Sequence, residues 1–250
     1  GANRGGRLNW NMARLPTAIL FDLDDTIISA GSRKLLFQTL AEEFAEAFAP
    51  LPPAEAAARL MAVSDVFWND PARHAYWRMR LAEGRRAMIG EAFADLAADA
   101  PGATPAVADA FAERLHAARE EHRCFPGAIE TLQAIRAAGV KMALVTNGDA
   151  ASQRAKVERF ALAPLFDHIQ IEGEAGFGKP EERAYLHALQ ALDVSAGETW
   201  MVGDNLEWEV AAPQRLGIYA IWHDHLGEGL PPGNPYRPDR IIQTLSELLD

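Results

Sequence analysis

Three aspartates within four residues follow a short apolar run near the start of the chain. Asp22, Asp24 and Asp25 come directly after Ala18-Ile19-Leu20-Phe21, and Thr26 follows them. An unbroken apolar tetrapeptide is typical of a buried strand, and chemistry in open α/β sheets gathers at the carboxyl ends of strands. Crowded carboxylates there are costly unless a cation neutralises them, and Mg²⁺ prefers oxygen ligands. The pattern indicates a metal-dependent carboxylate site; the alternative is a polar turn in which Asp25 caps the next helix.

Three more polar clusters stand at the ends of later apolar segments. The clusters are Thr146-Asn147-Gly148, Gly178-Lys179-Pro180 and Gly203-Asp204-Asn205, after predicted strands at residues 141–145, 168–171 and 199–202. Because the carboxyl ends of parallel strands share one edge of a sheet, all four clusters can converge on one crevice. Each alone has an ordinary explanation: Asn147-Gly148 as a turn, Lys179 as a surface lysine. Together they indicate one site.

The elements that must position these clusters alternate between strands and helices. Predicted helices lie at 127–138, 150–160, 181–191, 206–216 and near 239–249, with predicted strands at 18–21, 141–145, 168–171, 199–202 and 219–222, the last of the series. Such alternation indicates βαβ units. The predicted fold class is therefore α/β, with a doubly wound parallel sheet.

A long segment after the first strand has a different pattern. Between Ser32 and Glu121 no strand is predicted, and the sequence is rich in alanine. An apolar residue recurs every fourth position at Leu36, Leu40, Phe44 and Phe48, which predicts one amphipathic helix ending before Pro50. Further helices are predicted at 54–68, 72–82, 84–98 and 105–121. We expect an all-helical module inserted into the α/β core.

Composition limits the classes of partner. The 250 residues carry a formal net charge of -11, which argues against nucleic acid and against an anionic membrane. The single cysteine, Cys124, excludes an intramolecular disulfide, and no apolar stretch reaches transmembrane length. We therefore expect a cytoplasmic protein. Residues 1–14 are polar and are expected to be a disordered leader.

The four clusters, in this order and with helices inserted after the first, resemble the haloacid dehalogenase (HAD) superfamily. The resemblance extends from about Thr17 to the C-terminus, and Asp-Leu-Asp-Asp-Thr with an early helical cap resembles its small-molecule phosphatase branch. It implies a Rossmann-like catalytic core at residues 15–30 and 122–250 and a helical cap at 31–121. It also implies Mg²⁺ as cofactor and a small phosphorylated metabolite as substrate. We expect a monomer or a homodimer.

The resemblance assigns a role to each cluster. Asp22 matches the nucleophile that forms an aspartyl-phosphate, and Asp24 matches the general acid/base. Thr146 and the amides of Asn147 and Gly148 match the groups that hold the phosphate. Lys179 matches the cation that holds nucleophile and phosphate together.

The metal ligands implied by the resemblance are Asp22, the carbonyl of Asp24, and Asp204. This chain has Trp208-Glu209 where members of the family usually have Asn-Asp. Glu209 can still accept hydrogen bonds from metal-bound water if a backbone shift absorbs its extra methylene. We therefore assign Glu209 an outer role at the metal.

Three alternatives remain on the same fold. A 2-haloacid dehalogenase shares the nucleophile, but by the resemblance lacks the second aspartate, Asp24. A phosphotransferase of the phosphoglucomutase type shares the first step and excludes water. A catalytically silent binding protein would not need the complete set of carboxylates.

Two other groups of residues have competing explanations. His223 and His225 have the spacing of a metal-ligand pair, although packing is the favoured interpretation. In the inserted module, residues suited to substrate contact are Arg33, Phe37, Trp68, Arg73, His74, Trp77 and Arg78. The arginines suit a second anionic group and the tryptophans suit a planar or apolar face, but each is individually explained by the surface or core of the module.

Overall fold

A computed structural model describes residues 14–250. The predicted leader, residues 1–14, lies outside the described residues except for Arg14. The described chain divides into two units: one contains residues 14–29 and Arg123–Asp250, and the other is Ala30–His122. In the part of the chain from 14 onward, no helix has both the length and the apolar character needed to span a bilayer.

The first unit is built on a six-stranded parallel sheet. Its strands lie in the order β5-β4-β1-β6-β7-β8, and β2 and β3 form a separate antiparallel pair. The strands are β1 (Ala18–Phe21), β2 (Ile28–Ser29), β3 (Arg123–Cys124), β4 (Lys141–Thr146), β5 (His168–Ile171), β6 (Thr199–Gly203), β7 (Tyr219–His223) and β8 (Arg240–Ile242).

Eleven α-helices accompany these strands in the described residues. In chain order they are α1 (Arg33–Glu43), α2 (Ala45–Phe48), α3 (Pro53–Asn69), α4 (Pro71–Trp77), α5 (Leu81–Leu96), α6 (Pro105–Arg119), α7 (Ala128–Ala137), α8 (Ala150–Arg159), α9 (Glu172–Ala175), α10 (Glu182–Leu192) and α11 (Ala212–Arg215). A π-helical segment, Leu206–Ala211, precedes α11, and short 3₁₀ turns lie at Ala163–Leu165, Ala196–Glu198 and Leu245–Leu249.

Alternation along β1 divides the core of this unit into two layers. Ile19 and Phe21 pack on one face with residues of α7 and α8, and Ala18 and Leu20 pack on the other with residues of α10. All four side chains are fully buried, as expected for a central strand of a parallel sheet covered on both faces. The predicted α/β fold with a doubly wound parallel sheet is confirmed.

The second unit is helical throughout and has its own core. Its centre is an aromatic cluster in which Phe111 contacts Phe37, Phe44, Phe48 and Phe93, with ring centroids 5.0–6.5 Å apart. Stacked, edge-to-face and tilted ring pairs of this kind add to the burial energy of the separate rings. The unit therefore has the packing of an independent helical bundle.

Several predicted element boundaries were wrong. The single helix through Leu36 and Phe48 is two helices, because Phe44 leaves helical geometry at φ -101° and ψ 20° and turns its ring onto Phe111. The helix predicted at 72–82 ends at Trp77, and that predicted at 84–98 begins at Leu81, since Arg80 leaves helical geometry at φ -145° and ψ 62°.

The C-terminal prediction also needs correction. The helix near 239–249 is replaced by β8 and a 3₁₀ turn, so β7 is not the last strand. Pro238 cannot donate within a helix, and the β-branched pair Ile241-Ile242 suits a strand beside β7. The helix predicted at 206–216 begins instead as the π-helical segment.

Candidate active site

Asp22 directly continues β1 and presents its carboxylate at the carboxyl end of the sheet. Its backbone N–H donates to the carbonyl of Val202 at 3.0 Å, which extends the pairing of β1 with β6 by one residue. The side chain is only 10% exposed. Lys179 Nζ donates to Asp22 Oδ1 at 2.9 Å and Thr26 Oγ1 donates to Oδ2 at 3.2 Å, so both oxygens are held.

Lys179 is a fully buried cation between two strands. Besides Asp22, its Nζ donates to the carbonyl of Val145 at 2.7 Å and lies 3.6 Å from Glu209 Oε2. Burial alone lowers the pKa of Lys179, but the negative charges of Asp22 and Glu209 outweigh it and raise that pKa. Lys179 is therefore a permanent ammonium ion at physiological pH.

Asn147 sets the backbone from which Lys179 reaches the site. Its Nδ2 donates to the carbonyl of Lys179 at 2.8 Å, and the N–H of Lys179 donates to Asn147 Oδ1 at 2.9 Å. A reciprocal pair of hydrogen bonds fixes both the position and the orientation of the loop. The side chain of Asn147 therefore positions Lys179, a contact that the sequence did not predict.

Three carboxylates from two strand ends meet beside Lys179. Oxygens of Asp22, Asp204 and Glu209 lie within 4.8 Å of one another. Burial, followed by the charges of Asp22 and Asp25, raises the pKa of Asp204. Burial also raises the pKa of Glu209, and the opposing attraction of Lys179 does not cancel this effect.

Glu209 lies within the π-helical segment, and its carboxylate reaches the cluster with Asp22 and Asp204. Its N–H donates to the carbonyl of Asn205 at 2.8 Å, and its Oε1 accepts from the N–H of Asn205 at 3.3 Å. Its side chain lies over Gly203, where a Cβ would be 2.0 Å from Glu209 Cγ. The fully buried Tyr185 donates its hydroxyl to the carbonyl of Trp208. The wider turn and the bare glycine accommodate the longer side chain.

The donor set fits a hard divalent cation. Three buried or half-buried carboxylates face one ammonium, which leaves an excess of negative charge. Glu209 Oε2 is buried without a hydrogen-bond partner among residues 14–250, because 3.6 Å to Lys179 Nζ is too long for one. Mg²⁺ is bound by carboxylate oxygens of this kind, usually one or two together with water and phosphate. Asp22, Asp204 and Glu209 could therefore hold Mg²⁺.

Asp24 has different neighbours from Asp22. Lys156 Nζ donates to its Oδ1 at 3.0 Å, and Gln153 Nε2 donates to its Oδ2 at 2.9 Å. The same Gln153 nitrogen lies 2.7 Å from Thr146 Oγ1, so one amide links Asp24 with the end of β4. The carboxylate group of Asp24 belongs to this network rather than to the three-carboxylate cluster.

Gly148 is also at the end of β4, but its N–H is engaged. It donates to Glu172 Oε1 at 3.0 Å, and the carbonyl of Gly148 accepts from Gly173 at 2.9 Å. The backbone amide predicted to hold phosphate thus contacts a carboxylate at the start of α9 in this structure.

Sequence reasoning missed Gln153, Lys156, Glu172 and Tyr185. Gln153 and Lys156 are both on α8, which follows the Thr146 cluster, and both are buried. Residues three apart share one face of a helix. A polar pair on the buried face of α8 could therefore have been predicted to point toward the site. Glu172 and Tyr185 carry no such signal, because only the folded loops bring them to the site.

His223, the last residue of β7, and His225 pack against the opposite end of the aspartate turn. His223 Nδ1 lies 2.7 Å from the carbonyl of Asp25, and the rings of His223 and His225 stack at 5.7 Å with Phe125 against both. Burial lowers the pKa of His223. These contacts match the packing interpretation.

Comparison with known families agrees with this geometry. A model of the haloacid dehalogenase-like hydrolases matches residues 16–217. The chain belongs to this family. Phosphoserine phosphatase of Thermus thermophilus is 32% identical over 244 residues, covering 92% of this chain and 96% of the relative. The predicted family and its phosphatase type of enzyme are confirmed.

Solved structures share the fold. The HAD-hydrolase YfnB from Bacillus subtilis, solved with magnesium bound, is 22% identical with a TM-score of 0.65, covering 94% of this chain and 97% of that one. A 2-haloacid dehalogenase from Pseudomonas syringae pv. Tomato DC3000 is 26% identical with a TM-score of 0.54, covering 94% and 96%.

Proposed function

We propose that this protein hydrolyses phosphate monoesters of small metabolites in a Mg²⁺-dependent reaction through an aspartyl-phosphate on Asp22. The observation that carries the proposal is the convergence of Asp22, Lys179, Asp204 and Glu209 at one sheet edge. Family membership and the 32% identical phosphatase support it.

Asp22 is the nucleophile of the proposed first step. Its carboxylate oxygen forms a bond to phosphorus while the bond from phosphorus to the ester oxygen breaks. Lys179 holds Asp22 Oδ1 at 2.9 Å and supplies positive charge where anionic nucleophile and anionic phosphate approach each other. When bound by Asp22, Asp204 and Glu209, together with the proposed carbonyl of Asp24, Mg²⁺ supplies further charge compensation for the phosphoryl group.

Asp24 carries the proton in both steps. It gives a proton to the departing alkoxide, and its carboxylate then takes one from the water whose oxygen attacks phosphorus and releases Asp22. Gln153 and Lys156 hold the carboxylate in place through both transfers. Acid–base assistance of this kind is typically worth about 10²–10⁴-fold in rate.

The end of β4 is the proposed phosphate site. Thr146 Oγ1 offers a hydroxyl, and the backbone amides of Asn147 and Gly148 precede α8, whose N-terminus favours an anion. The amide of Gly148 is available for phosphate only after its bond to Glu172 breaks. Phosphate binding therefore requires a local change at Glu172.

The proposal is tested with a panel of phosphate monoesters that includes phosphoserine, sugar phosphates and nucleotides. We expect phosphate release from at least one ester with Mg²⁺, and its loss when EDTA is added. Asp22→Asn defines the background. If no ester is turned over above that background, the proposal is wrong.

Dehalogenation is the second candidate, because the Pseudomonas neighbour on this fold is a 2-haloacid dehalogenase. The network that orients Asp24 favours phosphoryl chemistry, since displacement of a halide needs no proton for the leaving group. Release of halide from 2-haloacids would favour dehalogenation. Transfer of phosphate to a second sugar instead of water would identify a phosphotransferase. The cytoplasmic location stays a prediction from the sequence.

A further inference from the structure

The helical unit contains a pocket of its own. It has a volume of about 200 Å³ and is lined entirely by residues of that unit, among them Arg33, Trp68, Arg85, Leu115 and Arg119. This volume corresponds to about seven molecules of liquid water at ~30 Å³ each. The pocket is therefore large enough for one small polar group and a short apolar or planar body.

The charge of the lining is positive. Three arginines line the pocket and no carboxylate does, in a chain whose formal net charge is -11. Arg33 pairs with Asp65 at 2.6 Å and Arg85 pairs with Glu120 at 2.8 Å, so two of the three charges are compensated from outside the lining.

Arg119 supplies the remaining charge. Its Nη1 donates to the carbonyl of Gly31 at 3.3 Å, and among residues 14–250 no carboxylate lies within the 4.0 Å of an ion pair. An anion in the pocket would compensate this charge.

Hydrogen bonds hold the guanidinium groups of Arg33 and Arg85 in place. Arg85 Nη1 lies 2.8 Å from His116 Nδ1, and since arginine only donates, His116 accepts and is the neutral tautomer with its proton on Nε2. Burial and the charge of Arg85 lower the pKa of His116, which agrees with that assignment. Arg33 Nη1 donates to the fully buried Ser64 at 3.3 Å. Fixed guanidinium groups can bind a carboxylate or phosphate with two parallel hydrogen bonds.

We propose that this pocket binds a small organic anion, in which a carboxylate or phosphate group meets Arg119 and an apolar or planar body lies against Trp68 and Leu115. This binding site shares no residue with the proposed catalytic site, and it requires neither Mg²⁺ nor phosphate hydrolysis. The protein would then have a second binding site, for an organic anion, in addition to the proposed catalytic site.

The test is calorimetric titration of the metal-free full chain with phenylacetate and with its neutral isostere phenylacetamide. Phenylacetate should bind at least about tenfold more tightly, and added NaCl should weaken its binding. Phenylphosphonate distinguishes the source of the anion: tighter binding than phenylacetate assigns the pocket to phosphate-bearing molecules, and weaker binding assigns it to carboxylates.

Matched arginine variants locate the binding. Arg119→Gln should weaken phenylacetate binding at least about tenfold, whereas Arg86→Gln, an exposed arginine on α5 that does not line the pocket, should leave it unchanged. If Arg119→Gln does not fold, Arg119→Lys should keep the charge but lose the paired hydrogen bonds and bind several-fold more weakly. Equal binding of acid and amide, no binding at all, or equal effects of Arg119→Gln and Arg86→Gln would overturn the proposal.

Discussion

Asp22 and Asp24 are two residues apart, yet their carboxylates have opposite surroundings. Asp22 is buried with Asp204 and Glu209, so three carboxylates face the single ammonium of Lys179. The side chain of Asp24 is 39% exposed and lies between the ammonium of Lys156 and the amide of Gln153. Excess negative charge in the first region favours a metal ion, while the balanced, partly wet second region suits exchange of a proton. The different surroundings of two residues of the same type are what separate the two proposed roles.

The backbone turn keeps the two regions apart. Leu23, between the aspartates, is fully buried, and its carbonyl accepts from the N–H groups of Ile27 and Ile28 at 2.9 and 3.2 Å. Asp25 adopts a left-handed conformation at φ 60°. Anchoring of Leu23 in the core makes Asp22 and Asp24 diverge, so a change in one region should leave the other largely intact.

Removal of the Lys179 ammonium from the first region should have the largest effect. Lys179→Met leaves three buried carboxylates without their ammonium, and we expect the free energy of unfolding without metal to fall by about 3–5 kcal/mol. Urea denaturation with and without Mg²⁺ measures it, and Mg²⁺ should restore part of the loss. Lys34→Met, at an exposed lysine, is the control and should change stability by less than about 0.5 kcal/mol. Equal effects of the two variants would contradict the charge argument.

A methyl group at Gly203 should disturb the metal site without removing a ligand. Gly203→Ala would place its Cβ 2.0 Å from Glu209 Cγ, so we expect the Mg²⁺ concentration for half-maximal binding to rise about 10- to 100-fold. Gly197→Ala, which meets nothing within 4 Å, is the matched control.

A double-mutant cycle assigns this effect to Glu209. In a Glu209→Ala background the added methyl no longer clashes, so Gly203→Ala should cost little further Mg²⁺ affinity. Additive losses would show that the methyl acts elsewhere. Calorimetric titration of Mg²⁺ provides the readout.

Loss of the amide in the second region should affect turnover alone. Gln153→Ala removes the link between Asp24 and Thr146. We expect kcat to fall about tenfold, because a poorly oriented Asp24 would lose part of the roughly 10²–10⁴-fold rate gain that acid–base assistance supplies. The Mg²⁺ concentration for half-maximal binding should stay the same. Gln190→Ala, at an exposed position of α10, controls for loss of an amide. A parallel change in Mg²⁺ affinity would mean that the two regions are not separate.

The smallest expected effect is a pH dependence of stability in the first region. The pKa values of Asp204 and Glu209 are raised in the metal-free fold above their ordinary values of 3.8 and 4.5. Below those values both groups are protonated in the folded and unfolded chain, and as pH rises the folded state must ionise them at a cost. Metal-free protein should therefore lose stability as pH rises.

Thermal unfolding with and without Mg²⁺, between pH 5 and pH 8, checks this sign. The stabilisation by Mg²⁺ should grow with pH, because the bound ion relieves the repulsion between the carboxylates. In the Asp204→Asn variant, the stabilisation by Mg²⁺ should increase less with pH. A stabilisation that shrinks with rising pH would contradict the assigned direction.

The sheet and the strand ends could be predicted because their signals are local. Apolar runs followed by polar clusters locate the ends of β1, β4 and β6, and parallel pairing brings those ends to one edge. The functional roles of Asp22, Asp24, Thr146, Lys179 and Asp204 stay predictions.

What could not be predicted depends on packing between distant segments. Residues 206–216 have helical periodicity, and nothing in that pattern reveals a π-helical turn that brings Glu209 over Gly203. The hydrogen bond from Tyr185 to Trp208 joins residues on separate helices. The short strand β8 (Arg240–Ile242) was predicted as part of a helix because the residues that follow it favour a helix. Its extended conformation depends on pairing with β7.

The most direct test of the account is to find which atom carries the phosphoryl group during turnover. A substrate identified in the ester panel, labelled in its phosphate, is mixed with enzyme and Mg²⁺, quenched in acid within milliseconds, and the protein is mapped by peptide. The account predicts label on Asp22, absent from Asp22→Asn. Phosphate release without label on any peptide, or with label on another residue, would contradict it.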